Sequence, residues 1–534
     1  MFRMLRTCFL LLALVPPAAP AVTYRVGPAR PYQQLQQLVN VLNPGDTVLV
    51  DGDAVYPGGV SFSRPGTAER RVLIRGIRLN GNRPILDGGT NSIAFTGGAS
   101  GAAHYTLEGV EVRNATFRGI YHQASDLIVR DVVVHHCTNG LMGADQGSGS
   151  LLLEYAEFYA CGSGTNAHQI YMATDEVSNP GSVFRMQFCW IHDGAGGNNV
   201  KSRAERNEIY YNWIEGAYYH ELELIGPDPA GGVPAALKQE HSDVVGNLLR
   251  KRATSYGGTG TFFVTRLGGD GTGASNGRYR FVNNTVLLGT SAAFRLFDSL
   301  ESVEMHNNVF ARASGTGSPV VRTAEAVWKS GTEQICGQDN WVLEGLTAVP
   351  SQWTGTKTGT DPGFIDLAGD DFRPAAGSPL ANAGTLTPQS VPGYPFPSPL
   401  FPPSFHPPMR TLLQPGSAEV RPADGLIDIG AFEYTAAVGI RGEPTSTLVD
   451  HLYQNYPNPF NAKTVIRFTL SAPCDGKLAV YDLLGREVAL LAAGRMSPGS
   501  HDVLFDASGL ASGMYFARLF AGHLVQTRHL ALMK

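Results

Sequence analysis

Charge is scarce in this 534-residue chain: Asp, Glu, Lys and Arg make up 16% of it, and no long run of lysine or arginine concentrates what there is. The formal net charge is −5. A basic face able to neutralise a phosphate backbone is therefore missing, and nucleic acid is excluded as a partner. Long apolar runs are missing as well. Past the N-terminus no segment reaches the roughly 20 residues that cross a bilayer, so no membrane span is expected. Cysteine is sparse. Five follow Cys8, namely Cys137, Cys161, Cys189, Cys336 and Cys474. That is an odd number without C-x-x-C or comparable ligand spacing, which excludes a disulfide framework and predicts no metal site. Cys137, Cys161 and Cys189 are expected at similar interior positions of successive repeats, and the sequence leaves open whether Cys137 and Cys161 join.

What the chain does have is glycine, 63 residues of it, with many Asn-containing turns, a composition suited to short strands joined by tight bends. Its length exceeds one ordinary domain and implies several domains or an elongated repeat. The opening MFRMLRTCFLLLALVPPAAPA sets Arg3 and Arg6 before an apolar core from Phe9 to Val15 and small residues ending near Ala21. This is the plan of a secretory signal peptide over 1–21. Cys8 opens the apolar core and is not at a cleavage site, so no lipid anchor is expected. A secreted or cell-surface monomer is.

Apolar alternations recur through the middle: TLEGVEVRN, LIVRDVVVHH, LLLEYAEFYA, FRMQFCWIHD, NEIYYNWIEG, SDVVGNLLRK, YRFVNNTVLL and VEMHNNVFAR. Their equivalent positions are Gly109, Asp131, Ala156, Cys189, Asn212, Asn247, Asn284 and Asn308, spaced by 22, 25, 33, 23, 35, 37 and 24 residues. A base period in the low twenties with insertions describes a solenoid, and period two within each unit makes it all-β. Asn at the turn tolerates left-handed backbone and can bond to the next coil, forming a ladder. These units resemble right-handed parallel β-helix proteins of the pectate-lyase-like type. RPYQQLQQLVNVLNPGDTVLV resembles that family's N-terminal cap, a short amphipathic helix over Pro31 to Leu42 before the first strand. DPGFIDLAGDDFRPAAGSPLANAG with DIGAFEY resembles the tail of secreted bacterial members. The proline-rich TPQSVPGYPFPSPLFPPSFHPPMR between them reads as an extended strap.

The β-helix domain is thus expected over 22–434 and a linker over 435–450. Residues 451–534 alternate as strands between Pro, Gly and Asn turns and predict a small β-sandwich. Their YPNPFN, VYDLLGREV and LASGMYFARL resemble the type A C-terminal sorting domain of the type IX secretion system. That resemblance implies the secretion machinery as a partner and passage across an outer membrane.

Chemistry is expected where cations and carboxylates share one sheet. In NNVKSRAE, alternation turns Val200 and Ser202 inward and Lys201 and Arg203 outward. In HELEL it turns Leu222 and Leu224 inward and Glu221 and Glu223 outward. In HQIYM it turns Ile170 and Met172 inward and Gln169 and Tyr171 outward. Stacked as rungs, these rows form a face ended by His168, His192 and His220 and walled by longer loops, a groove for a polymer. NNVKSRAERNEIYYNWI resembles the NKS…N…N segment of β-helix lyases of the alginate lyase and chondroitinase B type. The resemblance implies an acidic polysaccharide substrate, Lys201 as base, an assisting arginine one rung away, and calcium. Where that family places acidic calcium ligands this chain has Gly194 and Gly196, so calcium has no clear ligand motif, and the ELE pair stands in the arginine's place.

β-Elimination on a uronic acid requires neutralising its charge, removing the α-proton and protonating the leaving oxygen. The expected roles are Lys201 as base, Arg203 as uronate partner and Tyr171 or His220 as proton donor. His168, Gln169, His192, Asn198 and Asn199 are expected to bind substrate. Two other readings stay open. One is a glycoside hydrolase with Glu221 and Glu223, or Asp193, as its carboxylates. The other is an adhesive surface on which Lys201–Glu221 and Arg203–Glu223 are only stacked ion pairs.

Overall fold

The computed structural model describes residues 20–434 and 451–532, except 99–100, 227–238, 270–274, 298, 313–314, 316, 324–327, 423–424, 454, 456–459, 471, 483–484, 498 and 523. The expected linker, and the expected signal peptide up to residue 19, lie outside the described residues. The chain forms two compact units that divide between Ala436 and Ala437.

Each coil of the first unit consists of three short strands. Asp126–Arg130, Val133–His135 and Asn139–Gly143 make one coil. They pair in parallel with Ser150–Glu154, Glu157–Tyr159 and Ile170–Ala173 of the next. Repetition builds three sheets of 13, 12 and 10 strands, wound with the right hand that parallel crossovers take. Alternation sends one row of side chains from each sheet into a shared core, where Leu127, Val129, Val134 and Leu141 are fully buried. This is an all-β, right-handed parallel β-helix.

A single left-handed residue turns each coil from the 13-stranded sheet into the 12-stranded one. Gly109, Asp131, Tyr155, Phe188, Tyr211, Gly246, Asn283, Asn307 and Asp339 hold this position, with φ from 49° to 75°. The residue after it forms the ladder. Asn212, Asn247, Asn284 and Asn308 each donate a backbone N–H and a side-chain N–H to the side-chain oxygen of the next asparagine, ending on Asn340, at 2.9 to 3.1 Å. The expected ladder is present, but left-handed backbone and ladder bonding fall to two neighbouring residues and not to one Asn. In the early coils the ladder position is therefore Val110 and Val132, one residue beyond the expected Gly109 and Asp131. Cys189 sits at this corner and donates its N–H to Asn212 Oδ1 at 3.0 Å. Cys137 and Cys161 stack at a different one, the Cys137 N–H facing Cys161 Sγ at 3.5 Å, so the three cysteines do not share a repeat position. All five described cysteines are free.

The N-terminal cap is not the expected helix over Pro31 to Leu42. It contains one 3₁₀ turn, Leu35–Leu38. Gln37 caps its start, its side-chain oxygen accepting the N–H groups of Gln33 (2.7 Å) and Gln34 (3.0 Å). Val39, Asn40, Val41, Asn43 and Pro44 follow, and β-branched, Asn and Pro residues do not extend a turn into a helix. Leu35, Leu38 and Leu42 still cover the end of the core.

The chain's own tail dresses two outer faces. Phe372, Leu380, Ile429, Ala431 and Phe432 pack on Trp213, Leu248, Leu287, Val309 and Trp341 of the 12-stranded sheet. The strap lays Leu400, Phe401 and Phe405 on Tyr155, Phe188, Tyr211 and Val245 of the 13-stranded sheet side. There Arg206, Arg278 and Arg280 donate to the carbonyls of Pro397, Pro395 and Leu400.

The second unit has antiparallel sheets of three and four strands. Lys463–Leu470 pairs with Gly499–Asp506, and Cys474–Tyr481 lies between Glu487–Met496 and Gly513–Ala521. Both sheets contribute to one core, with Ile466 and Phe468 from the first and Leu478, Val480, Leu519 and Leu530 from the second. It is the expected small sandwich.

Candidate functional site

Ile170–Ala173, Val200–Arg203 and Leu222–Leu224 are adjacent strands of the 10-stranded sheet. Ile170, Val200 and Leu222 point into the core, so their alternates form an outward row. In successive coils that row reads Tyr121, Met142, Tyr171, Lys201, Glu223, Arg266, Arg295 and Arg322. Rungs lie about 4.8 Å apart, so the five steps from Tyr171 to Arg322 cover about 24 Å. Rings line it: Lys201 Nζ is 5.2 Å from the Tyr171 centroid, Arg266 is 4.0 Å from Phe297, and Arg295 is 4.8 Å from Phe263 and 4.4 Å from Phe297. The three arginines escaped the sequence reading, although each is the central residue of a short strand, T-R-L, F-R-L or V-R-T.

The charges pair differently from expectation. Lys201 stands opposite Glu223, with Nζ 3.7 Å from Oε2, and not opposite Glu221. Arg266 Nη1 donates to the other oxygen of Glu223 at 2.8 Å, and Asn198 Nδ2 donates to Oε2. Glu221 is not outward. It is fully buried, 3.1 Å from the equally buried Lys251, and accepts the Ala217 N–H at 3.0 Å. Burial pushes its carboxyl up to about 7 and lowers the Lys251 ammonium, each opposed by the other's charge. Lys251 also donates to the carbonyls of Ala217 and Tyr219, so this pair braces the turn that enters the Leu222–Leu224 strand. Arg203 is buried too. It stands opposite Ala173 and donates to the Gly226 carbonyl at 2.8 Å. Both expected ion pairs are thus absent, because Glu221 precedes its strand and the register sets Lys201 against Glu223.

Behind the row, Asn198 is a hub. Its backbone N–H donates to His168 Nδ1 at 2.9 Å, and its side-chain oxygen accepts the His220 N–H at 3.0 Å. His168, accepting at Nδ1, carries its proton on Nε2. His220 donates Nδ1–H to the Phe263 carbonyl at 3.1 Å and stacks on that ring, which leaves Nε2 bare. Both rings are held neutral. Burial, then the Lys201 charge, lowers His168 to about 3, and burial, then Lys251, lowers His220 well below the usual imidazole range.

Gln169 and Asn199 are fully buried, not outward. Gln169 donates to Asn199 Oδ1 (2.7 Å) and to the His192 carbonyl (2.9 Å), and Asn199 donates to the Glu215 carbonyl (2.8 Å). Their amides are committed to holding coils together. His192 lies off the row, at the end of the Trp190–Ile191 strand, stacked on Trp190 and bonded to Asp193 (2.8 Å) and Glu157 (3.2 Å). Burial opposes its charge, but these two carboxylates raise its pKa. Asp193 is also held by Arg252 at 2.9 Å.

Calcium does not fit the places where the resemblance would put its ligands. A Cβ on Gly196 would lie 2.2 Å from the Ser163 nitrogen, and one on Gly194 would lie 2.9 Å from Asn199 Oδ1. The coils close there against the Ser163 backbone and the buried Asn199 amide, which carboxylates would have to displace. Among the described residues one group has metal-ligand composition, Glu304, His306 and Cys336, and it belongs to a different sheet.

Residues 454–532 match the family described as the secretion system C-terminal sorting domain. No curated protein matches the chain. Among solved structures, pectate lyase Pel9A is similar, with 14% identity and a TM-score of 0.48, over 78% of this chain and 98% of that one. XylC in complex with xylose is similar at 10% identity and a TM-score of 0.42, over 64% and 87%. A PL6 family polysaccharide lyase from Pseudopedobacter saltans is similar at 10% identity and a TM-score of 0.37, over 63% and 92%. At these values no residue of this chain takes a role from any of them. In its own strands and its matched C-terminal region, the chain is a secreted or cell-surface parallel β-helix that carries a type IX secretion sorting domain.

Proposed function

We propose that the protein binds an acidic extracellular polysaccharide along the row from Tyr171 to Arg322 and cleaves it by β-elimination. The charge of the row carries this reading. Among the row's own residues, Lys201, Arg266, Arg295 and Arg322 are four cations to the one carboxylate of Glu223, in a chain whose net charge is −5. Cations repeated at rung intervals suit a polymer with repeated carboxylates, and Tyr171, Phe263 and Phe297 offer ring surface to sugar faces.

Arg266 replaces the buried Arg203 as partner of the uronate, whose neutralised charge makes the α-proton removable. Lys201 takes that proton. A lysine base must be uncharged when it acts, and an ordinary lysine titrates near 10.4. Glu223 favours the ammonium form, but Arg266 is its nearer partner and Asn198 its third, so its charge is shared. The neighbouring arginines act in the opposite sense. His220 has a bare Nε2 and cannot donate, which leaves Tyr171, beside Lys201, to protonate the leaving oxygen. A hydrolase would need two carboxyl groups free to act as acid and base. Glu221 and Glu223 are both buried and bonded to cations, so the lyase is the better supported of the two.

The full chain, given alginates, pectins and glycosaminoglycans, is expected to raise the ultraviolet absorbance of unsaturated uronate on at least one polymer. Lys201→Ala is expected to abolish the rise. No rise on any polymer, or an undiminished rise in the variant, overturns the reading.

A further inference from the structure

The 13-stranded sheet holds a group of side chains that the reading above does not use. Glu304 and His306 are two apart on Ser302–His306, and Cys336 lies opposite Glu304 on Ile335–Gln338 of the next coil. Val303 and Met305 point into the core, so all three face outward together. One donor atom from each lies within 4.8 Å of the other two.

His306 is the unusual member. It is fully buried, yet neither Nδ1 nor Nε2 has a hydrogen-bond partner among the described residues. Glu304 Oε2 is likewise buried and unmatched. Buried polar atoms are nearly always satisfied, and leaving one unmatched is costly. These two residues meet beside a thiol, and that thiol donates to the Gln389 carbonyl of the strap at 3.3 Å.

We infer that Glu304, His306 and Cys336 bind one divalent transition-metal ion of the zinc class beneath the strap. A carboxylate, an imidazole and a thiolate are the ligand types such an ion takes. Tetrahedral bonds of about 2.0 to 2.3 Å set ligand atoms roughly 3.3 to 3.8 Å apart, so the group needs to close by at most about 1.5 Å on binding. Cys336 is partly exposed, which gives an ion an entry path.

Charge agrees with this. Arg280 bridges Glu304 (3.1 Å) and Asp243 (2.8 Å). Arg206, 3.9 Å from Asp243, is offset by Glu208 at 3.4 Å. One guanidinium against two carboxylates and a thiolate leaves −2, which a divalent ion cancels. Binding releases the thiol proton to solvent as sulfur bonds to the metal, and the imidazole binds in its neutral form.

The test uses the full chain stripped of metal and titrated with Co²⁺, whose bond to a thiolate gives a charge-transfer absorption. One equivalent is expected to bind with that absorption, and Zn²⁺ is expected to displace it. Cys336→Ser should abolish the band, and His306→Gln should weaken binding at least tenfold. Should the His306 variant fail to fold, the wild-type chain answers alone. Saturating Zn²⁺ should slow iodoacetamide modification of Cys336, read by peptide mass, at least tenfold. Absence of the band, its persistence in Cys336→Ser, or unchanged Cys336 modification with Zn²⁺ overturns the proposal.

Discussion

Two outer faces of one β-helix are finished in opposite ways. On the 13-stranded sheet, Arg280 lies between Asp243 and Glu304, Arg278 meets Glu301, and the strap closes over them with its own carbonyls. On the 10-stranded sheet, Lys201, Arg266, Arg295 and Arg322 have one carboxylate, Glu223, within their row. Rung spacing and alternation are the same on both, so backbone geometry does not distinguish them. The difference lies in which charges share a face: on one, carboxylates stand among the arginines, and on the other, the row itself holds four cations and one carboxylate.

If so, substitutions should separate the faces cleanly. Lys201→Ala is expected to lower turnover by about 10²- to 10⁴-fold, or about 3 to 5 kcal/mol in the barrier, with little loss of stability. Glu223 keeps Arg266 and Asn198 in that variant. Asp243→Ala is expected to do the reverse. It takes from the buried Arg280 one of its two carboxylates, leaving Glu304, and frees the Leu400 N–H that Asp243 holds at 2.8 Å. Breaking a buried pair from one side costs about 3 to 5 kcal/mol, to be read from denaturant unfolding. Equal losses of activity and stability in both variants would erase the distinction.

How legible all this is in the sequence follows from the range of the interactions. The coil, its sheets and the ladder from Asn212 to Asn308 are legible because period two and a repeated turn residue are local signals. The cap is misread because Leu35, Leu38 and Leu42 look helical, while Val39, Asn40, Val41, Asn43 and Pro44 do not continue the turn beyond four residues. The row's rungs at Tyr171, Lys201 and Glu223 are legible from alternation. Their pairing is not, since insertions between coils set the register, and a shift of two residues along the strand pairs Lys201 with Glu223 and not with Glu221. Glu221 and Lys251 are 30 residues apart in separate coils, and no local pattern announces that they are buried together. The same holds for Cys336, which meets Glu304 only through the coil.

A smaller effect tests the interior that both faces share. Glu240 is fully buried, accepting from Asn207 (2.9 Å), Ser242 (2.8 Å) and Tyr279 (3.0 Å), and burial pushes its carboxyl up to about 8. An unfolded glutamate ionises near 4.3. Between those values the folded chain holds a proton that the unfolded chain has lost. Stability from this group is therefore complete at low pH and falls as pH rises toward 8, by about 1.4 kcal/mol per unit. Glu240→Gln should flatten that slope in unfolding measured from pH 5 to 8. An unchanged slope would mean that the carboxyl is ionised when folded.

The smallest expected effect lies at the end of the row. Arg322 is exposed, so Arg322→Gln should leave stability within about 0.5 kcal/mol. It should still weaken binding of an acidic polymer by a few-fold, because a polymer long enough to reach the fifth rung from Tyr171 meets it there. That loss is electrostatic and should vanish near 1 M salt, where screening acts over about 3 Å. A short oligosaccharide confined to Tyr171, Lys201 and Arg266 should not register the substitution at any salt. Measuring the variant with oligomers of increasing length thus locates the end of the bound chain. If length makes no difference, Arg322 lies outside the binding row and the cationic face is shorter than its register.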